Sequence, residues 1–325
     1  MKDVAELANV SVATVSRVIN NDFSVGEQNR LAVLDAIETL RYELRSTPQG
    51  KKETQIGLVI PDITNPYFPL LIKGITSAAR VHDVELVLCN ADSDFETEQY
   101  YFEELLHKKV DGIIYIPFQE AVDPLVTDLI KDRYPIVFLD REVQFEDICS
   151  VTSNNEEGAF QAVTYLLNLG HRDILFVSGP PHFSTTISRR HGFERGLKAF
   201  GLEFRDELAI FADTTQENAY REMRRFLKKQ QSITAVFATN DLMAFGVWQA
   251  LQDQGLRIPE DVSVVGYDDI PFSAFISLTT IAQPSFEIGR NAFILLMDLI
   301  NKRREPPHKI VLRDSLIIRK SCQRV

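Results

Sequence analysis

Asp3-Val4-Ala5-Glu6-Leu7-Ala8-Asn9-Val10-Ser11-Val12-Ala13-Thr14-Val15-Ser16-Arg17-Val18-Ile19-Asn20 carries two short apolar stripes at helical spacing, interrupted once. Val4, Leu7 and Ala8 stand at i, i+3, i+4, and Val15, Val18 and Ile19 repeat the interval. Asn9-Val10-Ser11 is all that joins them, and Ser11 is suited to cap the second helix. Two short helices around a three-residue turn form the pattern of a helix-turn-helix. With Val15, Val18 and Ile19 turned inward, Ala13, Ser16, Arg17 and Asn20 fall on the opposite face. Arg17 has the fork that pairs with guanine O6 and N7, Val12 or Ala13 suits a thymine methyl, and Ser11 and Ser16 suit phosphates. A third stripe, Val33, Leu34, Ile37 and Leu40, predicts one more helix. On pattern alone, a three-helix bundle for protein contacts competes with a DNA-binding head.

Beyond this head the chain changes character. Residues 46–54 are rich in polar and breaker residues and read as a linker between a head of residues 1–45 and a core of 55–325. In the core, apolar runs alternate with helical segments. The runs are Ile56–Ile60, Glu85–Cys89, Gly112–Ile116, Ile136–Leu139, Ile174–Val177, Leu208–Phe211, Ala235–Ala238 and Val262–Gly266. Such alternation predicts an α/β core of parallel sheets covered on both faces, either one barrel or two doubly wound open sheets. The sequence shows no internal repeat.

The head segment closely resembles the DNA-binding head of the LacI family of bacterial repressors, through the run V-A-x-x-A-x-V-S-x-x-T-V-S-R-V-x-N over Val4–Asn20. On that resemblance Ser11, Val12, Ala13, Thr14, Ser16, Arg17 and Asn20 are the candidate DNA contacts. The likeness continues in order down the chain. It is carried by Gly57–Phe68, Val110–Ile114, Leu169–Ile174, Thr239-Asn240-Asp241, Val265–Asp269 and Thr279–Pro284. It implies a core like a periplasmic sugar-binding protein, with three crossings between two doubly wound subdomains. The first would span about 55–152 and 284–312, the second about 153–283 and 313–325.

Open α/β sheets bind ligands beyond the carboxyl ends of their strands. Asp62, Asp140, Asn240 and Asp268 follow four of the predicted strands, and Arg189 follows a fifth through a loop. Carboxylates and a guanidinium suit a polyhydroxylated small molecule, and Tyr67 and Phe68 offer an apolar wall. The resemblance places effector contacts at Phe68, Asp140, Arg189, Asn240, Asp268 and Gln283. Another family contact position, often aromatic, falls here on Thr214. Asp62 and Asp269 read equally well as turn or cap residues, Asp241 as the cap of a following helix, Asn65-Pro66 as a helix start and His171 as structural. Arg319-Lys320 reads as a solvated pair. The stretch Pro61–Pro69 with Phe138–Arg141 looks most like members that answer to ribose or a related monosaccharide.

Charge and composition set further limits. Lys plus Arg number 35 against 46 Asp plus Glu, a net charge of −11. Residues 1–52 hold seven of each sign, so the excess lies in the core, which argues against a chain that coats nucleic acid along its length. Three distant cysteines exclude a disulfide framework or zinc ribbon. Neither a signal peptide nor a membrane-spanning run is present in the sequence, so a cytoplasmic place is expected. No nucleophile elbow, phosphate loop, dinucleotide fingerprint or metalloprotease motif is found, and neither an enzyme nor a cofactor is expected. The expected partners are double-stranded operator DNA, a small effector and a second copy in a homodimer. A sugar-transport component, a regulator answering to a protein corepressor and a cleft enzyme are the rivals. One departure from the family stands in the linker. The hinge pattern Y-x-P-N-x-x-A-R-x-L is missing after Tyr42, and Pro48 and Gly50 leave only Glu43–Ser46 for a helix.

Overall fold

The computed structural model describes residues 2–19, 25–40, 54–118, 123–143, 145–229 and 231–325. They belong to two compact units, Met1–Lys52 and Glu53–Val325. Linker residues 46–53, the hinge segment Glu43–Ser46 and Asn20 lie outside the described residues, as does the side chain of Ser16.

In the first unit, α1 (Lys2–Leu7), α2 (Val12–Ile19) and α3 (Glu27–Thr39) enclose Val4, Ala5, Ala8, Val15, Val18, Val33 and Ala36. Ser11 caps α2: its hydroxyl accepts the Thr14 amide at 3.1 Å and its carbonyl takes the Val15 amide. Three stripe residues depart from the predicted inward face. Leu7 is 52% exposed, Leu34 49%, and Leu40 is exposed too. Alanines bring these short helices close, so the leucines on the flanks of the stripes are left outside.

The second unit holds two six-stranded open sheets rather than a barrel. The first comprises β1 (Gln55–Ile60), β2 (Glu85–Asn90), β3 (Gly112–Tyr115), β4 (Ile136–Leu139), β5 (Cys149–Ser153) and β11 (His308–Leu312), in the order β11-β5-β4-β3-β1-β2. The second comprises β6 (Ile174–Ser178), β7 (Ala209–Phe211), β8 (Ala235–Ala238), β9 (Ser263–Asp268), β10 (Thr279–Ala282) and β12 (Ser315–Ile317), in the order β12-β10-β9-β8-β6-β7. Every neighbouring pair is parallel except β10 with β12. The order β2-β1-β3-β4-β5 recurs as β7-β6-β8-β9-β10, a duplication that the sequence does not display. Helices α4 (Tyr67–Val81), α5 (Phe95–His107), α6 (Pro124–Lys131) and α12 (Ser285–Ile300) cover the first sheet. Helices α7 (Asn155–Asn168), α8 (Ser184–Ala199), α9 (Gln216–Leu227), α10 (Asp241–Asp253) and the short α11 (Pro271–Phe275) accompany the second. The chain passes between the sheets after β5, β10 and β11, which defines two subdomains.

Four strands escaped the apolar runs. β5 (CSVTS) and β10 (TTIA) are polar in composition, although almost wholly buried, because their hydroxyls find partners. β11 and β12 lie at sheet edges and are short, and none of their residues is fully buried, so their apolar stretches of two or three residues do not stand out. The predicted strand at Leu208 begins one residue later, since Asp206–Leu208 forms a 3-10 turn. α4 and α12 meet backbone to backbone: a Cβ at Gly74 would stand 2.0 Å from the Phe286 carbonyl oxygen.

Candidate functional site

In each sheet, the connections from two neighbouring strands, β1 and β3 in the first and β6 and β8 in the second, run to opposite faces, which opens a crevice at their carboxyl ends. The loops after β1 and β3 of one subdomain and after β6 and β8 of the other line a single cavity of about 620 Å³.

Its walls are built by local turns. Asp62 Oδ1 accepts the Thr64 amide (2.8 Å) and hydroxyl (2.7 Å), closing the turn after β1, and Asn65 Oδ1 accepts the Tyr67 amide at 3.1 Å to open α4. Asp213 and Thr215 repeat the same turn after β7. Asn240 Oδ1 accepts the Met243 amide at 2.7 Å and caps α10, while its Nδ2 donates to the Thr214 carbonyl at 3.0 Å. Asp241 is therefore not the cap that its position suggested. It is the first helical residue, fully buried, and accepts from the Ile270 amide and the Ser273 and Thr280 hydroxyls at 3.0, 2.6 and 2.7 Å. Burial pushes its carboxyl up to about 6 despite those three donors.

Arg189, in the second turn of α8, forms the floor. Its Nε donates to Asn155 Oδ1 (2.7 Å) and its Nη1 to the Thr239 carbonyl (2.5 Å). Its Nη2 lies 3.7 Å from Asp268 Oδ1, and its guanidinium carbon sits 3.8 Å from the Tyr267 ring centroid. Burial acts to lower the Arg189 pKa, but Asp268, then Tyr267, Asp140 and Tyr67, outweigh it and raise the guanidinium above its ordinary value. Burial drives the Asp268 carboxyl well above the ordinary carboxylate range, with Arg189 opposing the shift. Asp140 (φ 68°) sits in the left-handed well that aspartate visits, whereas Asp268 (φ 110°) lies beyond it, a strain of the kind kept at ligand sites.

Seven of the eight candidate effector residues line the cavity: Asp62, Tyr67, Phe68, Asp140, Arg189, Asn240 and Asp268. Gln283 stands behind them instead. Its Nε2 donates to Asp268 Oδ1 (2.8 Å), and its Oε1 accepts from Ser153 Oγ (2.7 Å) and Tyr67 OH (3.0 Å). Tyr67 is thus more than an apolar wall, because its hydroxyl also reaches Asp140 Oδ1 at 2.7 Å. Thr214 lines the cavity at the position where an aromatic residue was expected. Arg319 is not solvated: it pairs with Asp269 at 2.7 Å and donates to the Leu278 carbonyl. The β10–β12 pairing carries it there. His171 is buried between Thr234 Oγ1 and the Gln323 carbonyl. Sequence reasoning missed Asp92, Phe118, Arg141, Phe183 and Asp213, which also line the cavity. Asp92 and Asp213 carried the same strand-end signal as Asp62, whereas Phe118 and Phe183 lie in loops with none.

On the head, Val12, Ala13 and Arg17 are exposed along α2 and Thr14 is half-buried. The Ser11 hydroxyl is already engaged with Thr14. Among the described residues no cluster of His, Cys, Asp or Glu is placed to hold a metal, and no helix is long and apolar enough to cross a membrane.

Comparison with known proteins agrees with both units. A profile described as periplasmic binding proteins and sugar binding domain of LacI family matches residues 53–320. A second, described as bacterial regulatory proteins, lacI family, matches residues 1–43. The chain is 34% identical to catabolite control protein A of Priestia megaterium, across 96% of this chain and 98% of the relative. It is 35% identical to the ribose operon repressor of Halalkalibacterium halodurans, across 97% and 96%. The solved lac repressor dimer bound to operator and the anti-inducer ONPF aligns with a TM-score of 0.76 at 28% identity, across 99% of this chain and 98% of that one.

Proposed function

This chain belongs to the LacI family of bacterial regulatory proteins, and from that premise we propose that it is a cytoplasmic repressor whose hold on operator DNA is set by a small polyhydroxylated effector. The observation that carries the effector half is the cavity of about 620 Å³ between facing strand ends, floored by Arg189, Asp140 and Asp268. Carboxylates there accept from hydroxyls, and the guanidinium donates to a ring or hydroxyl oxygen. Asp62, Asp92, Asp140, Asp213 and Asp268 outnumber Arg141 and Arg189 in its lining, which disfavours phosphorylated ligands. Ribose is the first candidate, supported by the Pro61–Pro69 and Phe138–Arg141 stretches and by the ribose operon repressor among the relatives.

Val12, Ala13 and Arg17, exposed on α2, are the base-reading residues in this proposal, with Ser11, Thr14, Ser16 and Asn20 supporting them on the DNA. The operator-bound lac repressor dimer supports a homodimer, which sets two heads on two half-sites. An effector that binds both subdomains changes operator affinity only by its differential affinity for their arrangements. The deciding experiment pairs a thermal-shift screen of pentoses, hexoses, their phosphates and purines with operator binding in the presence of each hit. A neutral sugar that raises the melting temperature and shifts operator affinity supports the reading. A purine hit with no sugar response refutes the ribose assignment.

A further inference from the structure

The three crossings between the subdomains meet behind the cavity floor. Ser153 ends β5 at the first crossing, Gln283 follows β10 at the second, and Asp314 lies between β11 and β12 at the third. The Asn154 amide donates to the Leu312 carbonyl at 2.8 Å, which ties the first crossing to the third. Ser153 Oγ donates to Gln283 Oε1, which ties the first to the second. Asp314 is buried, and the roles assigned above leave it unused. Its Oδ2 accepts the Tyr267 hydroxyl, and its carbonyl accepts from Gln161 Nε2 at 3.5 Å. Its Oδ1 is shut off from solvent and has no donor, because Ser153 spends its one hydrogen on Gln283. Helix α7 passes close by only because residue 158 is glycine. A Cβ there would stand 2.9 Å from Asp314 Oδ2 and closer still to the Tyr267 hydroxyl.

Tyr267 links this carboxylate to the floor. The third crossing holds its hydroxyl, while its ring lies 3.8 Å from the Arg189 guanidinium carbon. The charged and titratable groups facing Asp314 are Tyr267 from β9, Arg189 from α8 and Asp140 after β4, joined by the Ser153 hydroxyl from β5. From α7 come only Gly158 and the uncharged Gln161, since Glu156 and Glu157 pair with Arg195. Arg313, its neighbour in the chain, is exposed. Burial pushes the Asp314 carboxyl up to about 6, against the Tyr267 hydroxyl, Arg189 and Ser153, which lower it. Resting on the effector reading above, we propose that Asp314 is a proton-linked positioning residue, whose ionised carboxylate holds Tyr267 beneath Arg189 and so sets the guanidinium for the sugar. A hydrogen bond to a charged acceptor is about twice as strong as one between neutral groups. Protonation makes Oδ2 a neutral acceptor and removes a negative charge that attracts Arg189, so the sugar itself must then order the floor. The effector therefore binds the ionised form more tightly, and by reciprocity its binding drives the proton off.

The test counts protons in the full-length protein. D-ribose is titrated calorimetrically into wild type, Asp314→Asn and Tyr267→Phe from pH 5 to 8, in paired buffers of different ionisation enthalpy. D-xylose, D-glucose and cellobiose are titrated in parallel, and melting temperatures check the fold. Asp314→Asn keeps an acceptor for Tyr267 but stays neutral at every pH, whereas Tyr267→Phe keeps the ring and cuts the link. At pH 7.5 wild type is expected to bind roughly 3- to 10-fold more tightly than either variant, with the gap closing towards pH 5. Just below pH 6 wild type should release about 0.3 to 0.5 proton per sugar more than either variant. Asp268, present in all three chains, contributes equally to each. A merely structural role lowers affinity by the same factor at every pH and leaves the proton count unchanged. Equal proton release from wild type and Asp314→Asn on sugar binding, or a gap that does not vary with pH, overturns the inference and leaves the effector reading standing. The pH-dependent gap on xylose, glucose or cellobiose with no ribose binding overturns the ribose assignment and supports the inference. Binding of no sugar at all overturns both.

Discussion

Arg189→Met tests the electrostatic floor of the cavity. The substitution keeps most of the side-chain length but removes the cation 3.7 Å from Asp268, two hydrogen bonds and the stacking on Tyr267. Asp268 is then a buried carboxylate without a countercharge, and breaking such a pair from one side costs about 3–5 kcal/mol. At roughly 2–4 °C per kcal/mol for a unit of this size, the core should melt about 6–20 °C lower. Asp268→Asn in the same chain should recover about 2 kcal/mol or more, since the amide oxygen still accepts from Gln283 Nε2 and no charge is stranded. The pH dependence has a definite sign. Burial already raises Asp268 above its unfolded value, and losing Arg189 removes the main influence that lowers it. The folded variant then binds a proton that the unfolded chain releases, so its stability falls as pH rises through that interval. Chemical denaturation from pH 5 to 8 of wild type, both single variants and the double variant measures all of this. A double variant no more stable than Arg189→Met, or a deficit independent of pH, would refute the assignment of Arg189 as the countercharge.

Gly74→Ala should destabilise the core by about 1–3 kcal/mol in denaturant titrations, because its Cβ would stand 2.0 Å from the Phe286 carbonyl oxygen and force α4 from α12. Asp241, raised by burial from 3.8 to about 6, should make wild-type stability decline by up to about 3 kcal/mol as pH rises between those values; Asp241→Asn should flatten that slope. Arg17→Ala should weaken operator binding by about 1–3 kcal/mol and relax discrimination at one base pair, read by competition with singly substituted operators.

The parallel sheets were legible because their central strands are continuous apolar runs, as sheets covered on both faces require. β5 and β10 were not, although they are equally buried. Ser150, Thr152, Thr279 and Thr280 satisfy β positions with hydroxyls, and composition cannot tell whether such hydroxyls meet water or protein. The head shows the reverse failure. Leu7, Leu34 and Leu40 kept the spacing of a buried stripe, yet the closely packed alanines left them outside. Spacing identifies a face and says nothing of how wide a core the neighbouring helices leave.

The site divides along a related line. Asp62, Asp140, Asn240 and Asp268 were readable one strand at a time, since each is a polar residue ending an apolar run. Gln283, Arg141 and Phe183 depend on what the fold brings together. Gln283 meets Tyr67 across 216 residues of chain and Ser153 across 130. Arg141 and Phe183 lie on different subdomains, so their contact exists only once three crossings have set the two sheets face to face. Those crossings also give the polar floor its mechanical meaning. Tyr67 and Asp140 belong to the first subdomain and Asp268 to the second, with Gln283 at the crossing after β10 bonded to both sides. In the proposed reading, a ligand that takes Asp140 from one side and Arg189 with Asp268 from the other cannot be held equally well at every angle between the subdomains. Its binding free energy therefore depends on that angle, and this dependence is what lets occupancy of the cavity bias the rest of the chain.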